Sequence, residues 1–430
     1  MEAKSKKWAT LQVVACAAVM FGLMGLIANS TSIFTAAVVT EYGFTTQESQ
    51  LFFSIQNLVM VFLIPVAQVI GNKMNYRVCI TIASALAIIG MFLLSVWTTP
   101  GTFYISAVLY GISYSFICYL LVALVIPNWF HVNAGSMMGI ASAFTGVGGA
   151  IWSTVASVLI ADGGLANAAL IMAIISACIT LPFTIFIIRL KPSDMGLKPV
   201  GYNEAKLAQA NKAEVPTYGF TLKEAVKTPV FWVAAIGCFL VYYACQFQTI
   251  STTYARVGLE IDAVTAGVMS SMIMVGLIFG KIILGFISDK AGAKWVYVYS
   301  VISGAAAFLL FFTATQTSTV QLFIGAFLFG GFFALMAIGT PRMVRYAFGP
   351  KDYAKIMSWL MTVGLLANTI GSFVNGTLAD TVGYNVAILI GLAAAIVGVV
   401  LTIAAISMGK KKWAKEIAAE EAAKLAAKAK

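Results

Sequence analysis

The feature of this sequence that most constrains its fold is a series of long apolar runs separated by short polar segments. Each run is long enough to cross a bilayer as an α-helix, which takes about 20 residues. Twelve such runs lie at residues 9–38, 49–71, 78–97, 102–126, 136–161, 166–189, 229–255, 263–288, 295–314, 319–341, 355–379 and 384–408. Only 10% of the residues are charged, far fewer than the roughly 25% of a soluble domain. The sequence therefore predicts an all-α integral membrane protein with twelve transmembrane helices.

The 27 Lys and Arg residues indicate how these helices are oriented. Basic residues gather in the cytoplasmic loops of membrane proteins. Here only Arg256 falls in a predicted outer loop, and only Lys281 falls inside a span. The predicted outer segments carry acidic residues, namely Glu41, Glu48, Asp162, Glu260, Asp262 and Asp380. We therefore predict a multi-pass protein of the cytoplasmic (inner) membrane with both termini in the cytoplasm. The net charge of +11 follows from this topology and requires no nucleic-acid partner.

The two halves of the sequence repeat each other at a shift of 215–218 positions. The coinciding landmarks are Gly43 with Gly258, Gly146 with Gly364, Asp162 with Asp380, and residues 68–77 with residues 285–294. Parallel six-helix repeats imply two pseudo-twofold bundles around a shared central cavity. The predicted organisation is an N-terminal six-helix bundle at 1–190, a cytoplasmic linker at 191–227, a C-terminal six-helix bundle at 228–409 and a basic helical tail at 410–430.

The segment "GFISDKAGAK" at 285–294 resembles the signature G-x-x-x-D-[RK]-x-G-x-[RK] of the major facilitator superfamily. Three more segments resemble its oxalate–formate antiporter-like and monocarboxylate porter branch: "NWFHVNAGSMMGIASAFTGVG" at 128–148, "RLKPSDMGLKPVG" at 189–201 and "KTPVFWV" at 227–233. The resemblance implies a secondary transporter that moves a small organic anion by rocker-switch alternating access. The sequence departs from the family pattern at Gln68, Asn72 and Asn75 in the first-half copy of the signature, and at Ala134, where the branch usually has arginine.

The resemblance also implies a set of gating residues in the signature loop. In such transporters the acidic residue, here Asp289, resembles a latch that accepts hydrogen bonds from a neighbouring helix N-terminus when the cytoplasmic side is closed. The implied gating set is Gly285, Asp289, Lys290, Gly292 and Lys294, with Asn72 and Arg77 in the equivalent loop of the first half. The alternative is that this loop only secures topology and folding.

Lys281 is a basic residue inside an apolar span. It precedes Asp289 by eight residues, or about 12 Å of helix, which places it toward the middle of the membrane. A basic group at the centre of a transmembrane helix costs roughly 2.5–3.5 kcal/mol, so it needs a partner or a water-filled cavity. All 16 acidic residues lie at predicted helix ends, in loops or in the tail. Lys281 is therefore the predicted substrate anchor for an anion; the alternative is a lysine that reaches Asp289 or a helix-end carbonyl.

The resemblance implies the same role for Lys281. In carboxylate porters of the branch, an arginine at this position engages the substrate carboxylate. A lysine offers a point charge instead of a bidentate fork. The dicarboxylate members carry a further lysine in the eleventh span, where this sequence has Gly364 or Leu365 and no charge. One cavity cation favours a monoanion, so the predicted substrate is a monocarboxylate.

The rest of the predicted substrate site consists of polar and aromatic residues on the surrounding spans. They are Asn29, Gln56, Asn57, Tyr114, Tyr119, Trp152, Tyr242, Gln246, Gln248 and Asn368. Each is as well suited to an interhelical hydrogen bond as to ligand contact. Several aromatic residues near one cation suit an organic anion with an apolar body.

The sequence shows no pattern typical of a catalytic or metal-binding cluster. The six cysteines lack CxxC or metal-finger spacing and are predicted to be small core residues. The single histidine, His131, is predicted to lie in a cytoplasmic loop. We expect no cofactor, no enzymatic activity and a monomer in the lipid bilayer. Without a buried acid, exchange or facilitated diffusion is favoured; the alternatives are a proton-coupled symporter of a carboxylate or other organic solute, and a non-transporting sensor on the same fold.

Overall fold

The computed structural model describes residues 2–73, 75–202 and 218–413. Regular structure in these ranges is helical, apart from a bridge between Phe130 and Val200. The membrane-crossing helices are α1 (2–42), α2 (Thr46–Lys73), α3 (Tyr76–Leu93), α4 (100–129), α5 (134–163), α6 (165–187), α7 (Pro229–Gly258), α8 (Ala263–Lys290), α9 (Ala293–Phe312), α10 (Thr319–Phe348), α11 (Tyr353–Thr381) and α12 (Tyr384–Lys412). The twelve predicted spans are confirmed, with ends that agree closely except at the start of α1 and the end of α10.

Local sequence decides where several of these helices begin and end. Gly164, with φ 74° and ψ 171°, separates α5 from α6 within one otherwise helical run, because a residue without a Cβ adopts positive φ at little cost. Pro229 occupies the first turn of α7, where its missing N–H is no loss. The Asp262 carboxylate caps α8 by accepting the backbone N–H of Thr265 at 2.9 Å. These local signals set where the helices begin and end, and so which apolar face each helix turns toward the neighbouring helices.

The helices form two bundles with separate cores. One cluster of buried apolar side chains lies between residues 9 and 197, and a second lies between residues 220 and 406. This arrangement confirms the predicted fold of two six-helix bundles. The domain boundaries themselves stay a prediction, and parts of the predicted linker and tail, 203–217 and 414–430, lie outside the described residues.

The connections between helices define two sides of the membrane. We call the side of the α2–α3, α4–α5, α6–α7, α8–α9 and α10–α11 connections the basic side, because it carries the Lys and Arg residues of the loops. The opposite, acidic side carries Glu41, Asp262 and Asp380 at its helix ends. The sequence predicts that the basic side faces the cytoplasm.

The two bundles contact each other on the acidic side and in the middle of the membrane. Between α2 and α11, the Ser54 hydroxyl donates to the carbonyl of Thr369 at 2.8 Å. Between α5 and α8, a Cβ added to Gly146 would lie 2.7 Å from Ile278. Nearer the basic side, a Cβ added to Gly285 would have nothing within 4 Å. Hydrogen bonds that join described residues of the two bundles all lie at the level of Ser54 or closer to the acidic side, so the central cavity opens toward the basic side.

Two details of the sequence prediction are wrong. The tenth helix does not stop at 341 but continues through Pro341 to Phe348, because neighbouring groups in a membrane bundle can satisfy the carbonyl that a proline frees. The cysteines are not all core residues, since Cys118 and Cys178 are exposed. An apolar run predicts a span, but it does not predict which of its residues face a neighbouring helix.

Candidate substrate site between the bundles

Lys281 lies on the face of α8 that meets α5. Met274 and Ile278 precede it by seven and three residues, spacings that place the three side chains on one helix face. Met274 and Ile278 pack against Gly149 and Gly146 of α5. Lys281 follows one turn further toward the basic side, where the bundles begin to part. Its side chain is half-buried, and no hydrogen bond or ion pair joins its ammonium group to a residue that the structure describes.

Cys118 of α4 is the residue of the N-terminal bundle that interacts electrostatically with Lys281. It lies in a π-helical turn, Ile117–Leu121, within the apolar part of α4, and it is exposed. An exposed thiol at this depth, opposite a cation of the other bundle, lines the cavity between them. Sequence reasoning missed Cys118, because no spacing motif marks it and a cysteine in an apolar run is usually buried.

Four residues of the predicted site hold buried polar atoms without hydrogen-bond partners in the described structure. They are Oε1 of Gln56 on α2, the hydroxyl of Tyr114 on α4, Nε1 of Trp152 on α5 and Oδ1 of Asn368 on α11. A buried polar group left unsatisfied costs about 1–3 kcal/mol. These four atoms therefore have unused hydrogen-bonding capacity on helices that border the bundle interface.

Three other predicted residues already form bonds within their own bundle. The bonds join Nδ2 of Asn29 to the Thr145 carbonyl at 2.8 Å, Nε2 of Gln246 to the Ser372 hydroxyl at 2.7 Å and the Tyr242 hydroxyl to the Met361 sulfur at 3.3 Å. In this state these side chains hold neighbouring helices together, as interhelical polar residues do in membranes.

The remaining predicted residues are placed as follows. Tyr114 is buried, and its ring stacks on Tyr110 with centroids 5.5 Å apart. Asn57 is buried and Gln248 is half-buried. The side chain of Tyr119 lies outside the described residues. The role of each in substrate binding stays a prediction.

The predicted gating residues lie at the open, basic side. Gly285 stands beside open space, Gly292 adopts φ 88° at the turn into α9, Lys290 and Lys294 are exposed, and Arg77 is half-buried at the start of α3. The side chains of Asn72 and Asp289 lie outside the described residues. Separation of the bundles here fits an unlatched basic side, and the latch role of Asp289 stays a prediction.

On the acidic side, Asp380 at the end of α11 joins the two bundles. Its Oδ1 accepts the backbone N–H of Thr46 at 3.0 Å, and its Oδ2 accepts that of Gln47 at 2.6 Å. Both N–H groups lie in the first turn of α2, where a helix leaves its donors unpaired and favours a negative charge. The hydroxyls of Thr46 and Tyr384 lie 2.9 Å apart beside them. Asp380 is thus a closing contact, which sequence reasoning identified only as a landmark of the repeat.

A second contact on the acidic side involves Glu41 and Arg256. These residues are 215 positions apart, the same shift as Gly43 and Gly258, so they are equivalent positions of the two repeats. Arg256 interacts electrostatically with Glu41, and also with Asp262 of its own bundle. Equivalent positions can meet only near the pseudo-twofold axis. The opposite charges therefore attract across the axis and favour closure of the acidic side.

Comparison with known proteins identifies the family. The family model described as the Major Facilitator Superfamily matches residues 15–263 and 243–429. AgnL12 of Paecilomyces divaricatus, named as an agnestins efflux protein, is 25% identical over 318 residues, which cover 73% of this chain and 67% of that protein. MdtD of Yersinia enterocolitica, named for multidrug resistance, is 24% identical over 180 residues, or 40% of this chain and 36% of that protein. NarT of Staphylococcus carnosus, named for nitrate transport, is 24% identical over 125 residues, or 28% of this chain and 31% of that protein.

Solved structures show the same architecture. The nucleoside transporter NupG aligns with a TM-score of 0.70 at 17% identity, over 93% of this chain and 99% of that one. A bacterial homologue of the human lysosomal transporter Spinster, described as inward-facing and unoccupied, aligns with a TM-score of 0.69 at 13% identity, over 94% of this chain and 98% of that one. These similarities show the fold, and none of the proteins named above belongs by name to the predicted oxalate–formate branch. By its family match and its fold, the chain belongs to the Major Facilitator Superfamily and is a secondary transporter.

Proposed function

We propose that this protein moves a small organic monoanion, most simply a monocarboxylate, by rocker-switch alternating access, as an exchanger or a facilitator. Lys281 carries the proposal: it is a cation well inside α8, beside the opening between the bundles, without a hydrogen bond or ion pair to any described residue. A cation at this depth costs roughly 2.5–3.5 kcal/mol. A bound carboxylate offsets this cost through charge-assisted hydrogen bonds.

The charge of the cavity supports a monoanion. On α11, the positions of Gly364 and Leu365 carry no second cation. Gly364 also leaves no room for one, since a Cβ there would lie 2.6 Å from the ring of Tyr242. One lysine neutralises one carboxylate, whereas a dianion would leave an unpaired negative charge in a poorly solvated site.

The contacts between the bundles support alternating access. In this state Asp380 and the pair of Glu41 and Arg256 close the acidic side, and Lys281 is reached from the basic side. Rocking the bundles would break these contacts and bring the signature loop at Asp289 toward the N-terminal bundle. A substrate held at Lys281 then faces each side of the membrane in turn.

Two alternatives differ from this proposal, one in what drives the transport and the other in having no transport. In proton-coupled symport of a carboxylate or another organic solute, Lys281 itself carries the proton, and uptake follows an imposed pH gradient. A sensor on the same fold binds its ligand without any flux. The similarity to NarT makes nitrate, an inorganic monoanion, a further test compound.

Uptake into proteoliposomes tests the proposal. The panel contains monocarboxylates, dicarboxylates and nitrate, each measured with and without a counter-anion inside and with an imposed pH gradient. Lys281→Ala and Lys281→Arg are compared with Lys227→Ala, which removes an exposed lysine of the basic side. We expect Lys281→Ala to reduce uptake about tenfold or more, because a charge-assisted hydrogen bond is lost, and Lys227→Ala to leave it unchanged. Undiminished anion uptake by Lys281→Ala would overturn the anchor role.

A further inference from the structure

A cavity of about 450 Å³ lies on the basic side within the N-terminal bundle. It is lined by Asn75, Tyr76 and Arg77 at the start of α3 and by Arg189, Leu190, Lys191 and Asp194 after the end of α6. None of the predicted substrate residues contributes to this lining. Because α3 begins and α6 ends here, the cavity lies at the level of the lipid headgroups.

Buried side chains hold the segment after α6 in place. The backbone N–H of Arg189 donates to Oε1 of Gln12 at 2.9 Å, and the carbonyl of Arg189 accepts Nε1 of Trp129 at 2.9 Å. Gln12 and Trp129 are fully buried. The guanidinium Nη1 of Arg189 donates to the carbonyl of Ile188 at 2.8 Å. The position of Arg189 is therefore built into the bundle and does not depend on a loose loop.

The cavity carries an excess of positive charge. Among the described residues that line it, Arg77, Arg189 and Lys191 outnumber one carboxylate, that of Asp194, which leaves two positive charges. One oxygen of Asp194 already accepts the backbone N–H of Lys191 at 3.3 Å. Burial and then repulsion from Arg77 lower the pKa of the Arg189 guanidinium, and Asp194 only partly offsets them. Two like charges held this close favour an anion between them.

We propose that Arg77, Arg189 and Lys191 form a binding site for the phosphate group of an anionic ligand, with the headgroup of an anionic phospholipid as its source. Paired guanidinium groups match the oxygens of a phosphate bidentately. The first turn of α3, an 18-residue helix, adds the favourable end of the helix dipole. Basic pockets at headgroup level on the cytoplasmic side of membrane proteins suit such lipids. The site does not depend on which substrate is transported.

Lipid titration of the purified full-length protein tests this site. Thermal unfolding and native mass spectrometry are followed while phosphatidylglycerol, phosphatidylcholine or inorganic phosphate is added in a neutral detergent. We expect phosphatidylglycerol to bind and to raise the melting temperature more than phosphatidylcholine does. Stabilisation by inorganic phosphate to the same extent identifies a soluble phosphate as the ligand, and stabilisation by phosphatidylglycerol alone identifies the headgroup. No difference between phosphatidylglycerol and phosphatidylcholine, together with no effect of phosphate, would overturn the proposal.

Variants assign the effect to the cavity. Arg77→Gln and Arg189→Gln are expected to weaken phosphatidylglycerol binding about tenfold or more. Lys227→Gln, which removes an exposed charge from the same side, should change it little. If the glutamine variants do not fold, Arg77→Lys and Arg189→Lys keep the charge but lose the bidentate fork and should still weaken binding several-fold. Equal phosphatidylglycerol binding by all these variants would show that the lipid binds at another place.

Discussion

Asp380 of the C-terminal bundle caps α2 of the N-terminal bundle, since its Oδ1 accepts the backbone N–H of Thr46 at 3.0 Å. The equivalent residue of the first repeat, Asp162, is exposed and makes no such contact with a described residue. The repeat is therefore asymmetric here, and one helix pair carries the contact that closes the acidic side.

Replacing Asp380 by Asn is expected to favour opening of the acidic side. The amide keeps one acceptor oxygen but loses the charge, so one N–H of α2 loses its partner and the interaction with the helix dipole disappears. Loss of a charge-assisted hydrogen bond costs about 1.5–3 kcal/mol, which shifts an equilibrium between two states about tenfold or more. Hydrogen exchange of the backbone amides of 46–50 should become faster in the variant.

Asp162→Asn is the matched control for this change. It removes the same charge from the same side of the membrane, but from a residue that caps no helix of the other bundle in the described structure. Exchange at 46–50 should therefore match that of the wild type. If both variants accelerate exchange equally, the effect comes from net charge and not from the cap.

Glu41 and Arg256 are expected to be coupled in the same closed state. Glu41→Gln and Arg256→Gln should each reduce the closed fraction, and the double variant should lose less than the sum of the two. A coupling energy of up to about 1 kcal/mol is typical of a partly exposed pair, and salt should reduce it. At position 41, glutamine still offers an acceptor oxygen to the backbone N–H of Leu165, which donates to Glu41 at 2.9 Å in the wild type. Spin-label distances across the acidic side measure the closed fraction, and strictly additive effects would contradict the coupling.

The sequence was sufficient to predict the spans and the two bundles, because these follow from apolar length, loop charge and an internal repeat. Lys281 was found by a local signal, a charge inside an apolar run. The role of Asp380 was not predictable, since its partners are backbone N–H groups of a distant helix. Glu41 and Arg256 did carry a signal, because opposite charges at equivalent positions of a twofold repeat can meet on the axis.

The roles of polar residues inside the spans are harder to predict from sequence. Asn29 and Gln246 have the composition of ligands, yet in this state both donate to neighbours in their own bundle. Gln56 and Asn368 have the same chemistry, and each keeps an oxygen that no described residue pairs with. Residue type cannot separate these cases, because the outcome depends on whether packing brings a partner within reach.

The contact between Asp352 and Leu222 should depend on pH. The Asp352 carboxylate accepts the Leu222 N–H at 3.0 Å and pairs with Lys355 at 3.1 Å. First the Leu222 N–H and then Lys355 lower the pKa of Asp352 below its ordinary value of 3.8. Because the folded-state pKa is lowered, the stabilisation is present above pH 3.8 and is lost as the pH falls through the folded value.

Exchange of the backbone amides of 222–226 measures this contact. The wild type should protect the segment at neutral pH and lose part of that protection in strong acid. Asp352→Asn should be less protected at neutral pH, and its difference from the wild type should disappear in acid. Lys355→Gln, which leaves the hydrogen bond to Leu222 in place, should have the smaller effect. A variant difference that persists unchanged in acid would show that Asp352 acts through something other than its charge.

Cys118 should report on the state of the cavity. It is exposed opposite Lys281, whereas Cys16, Cys238 and Cys245 are buried. With Cys178, which is also exposed, replaced by serine, a water-soluble maleimide should label Cys118 in the membrane and leave these three unlabelled. Asp380→Asn should slow the labelling, because opening the acidic side closes the basic side. Labelling of Cys118 at the same rate in both proteins would argue against a rocking exchange of access.

Replacing Lys281 by Met is expected to stabilise the unliganded protein while abolishing anion binding. A cation without a partner among the described residues costs roughly 2.5–3.5 kcal/mol at the centre of a helix, and Met fills a similar volume without the charge. A transported anion should raise the melting temperature of the wild type, because a ligand that binds only the folded state stabilises it, and should leave Lys281→Met unchanged. Lys227→Met, at an exposed position, should keep the response to the anion. A lower melting temperature for Lys281→Met would instead assign Lys281 to a stabilising contact within the fold, such as one with Asp289.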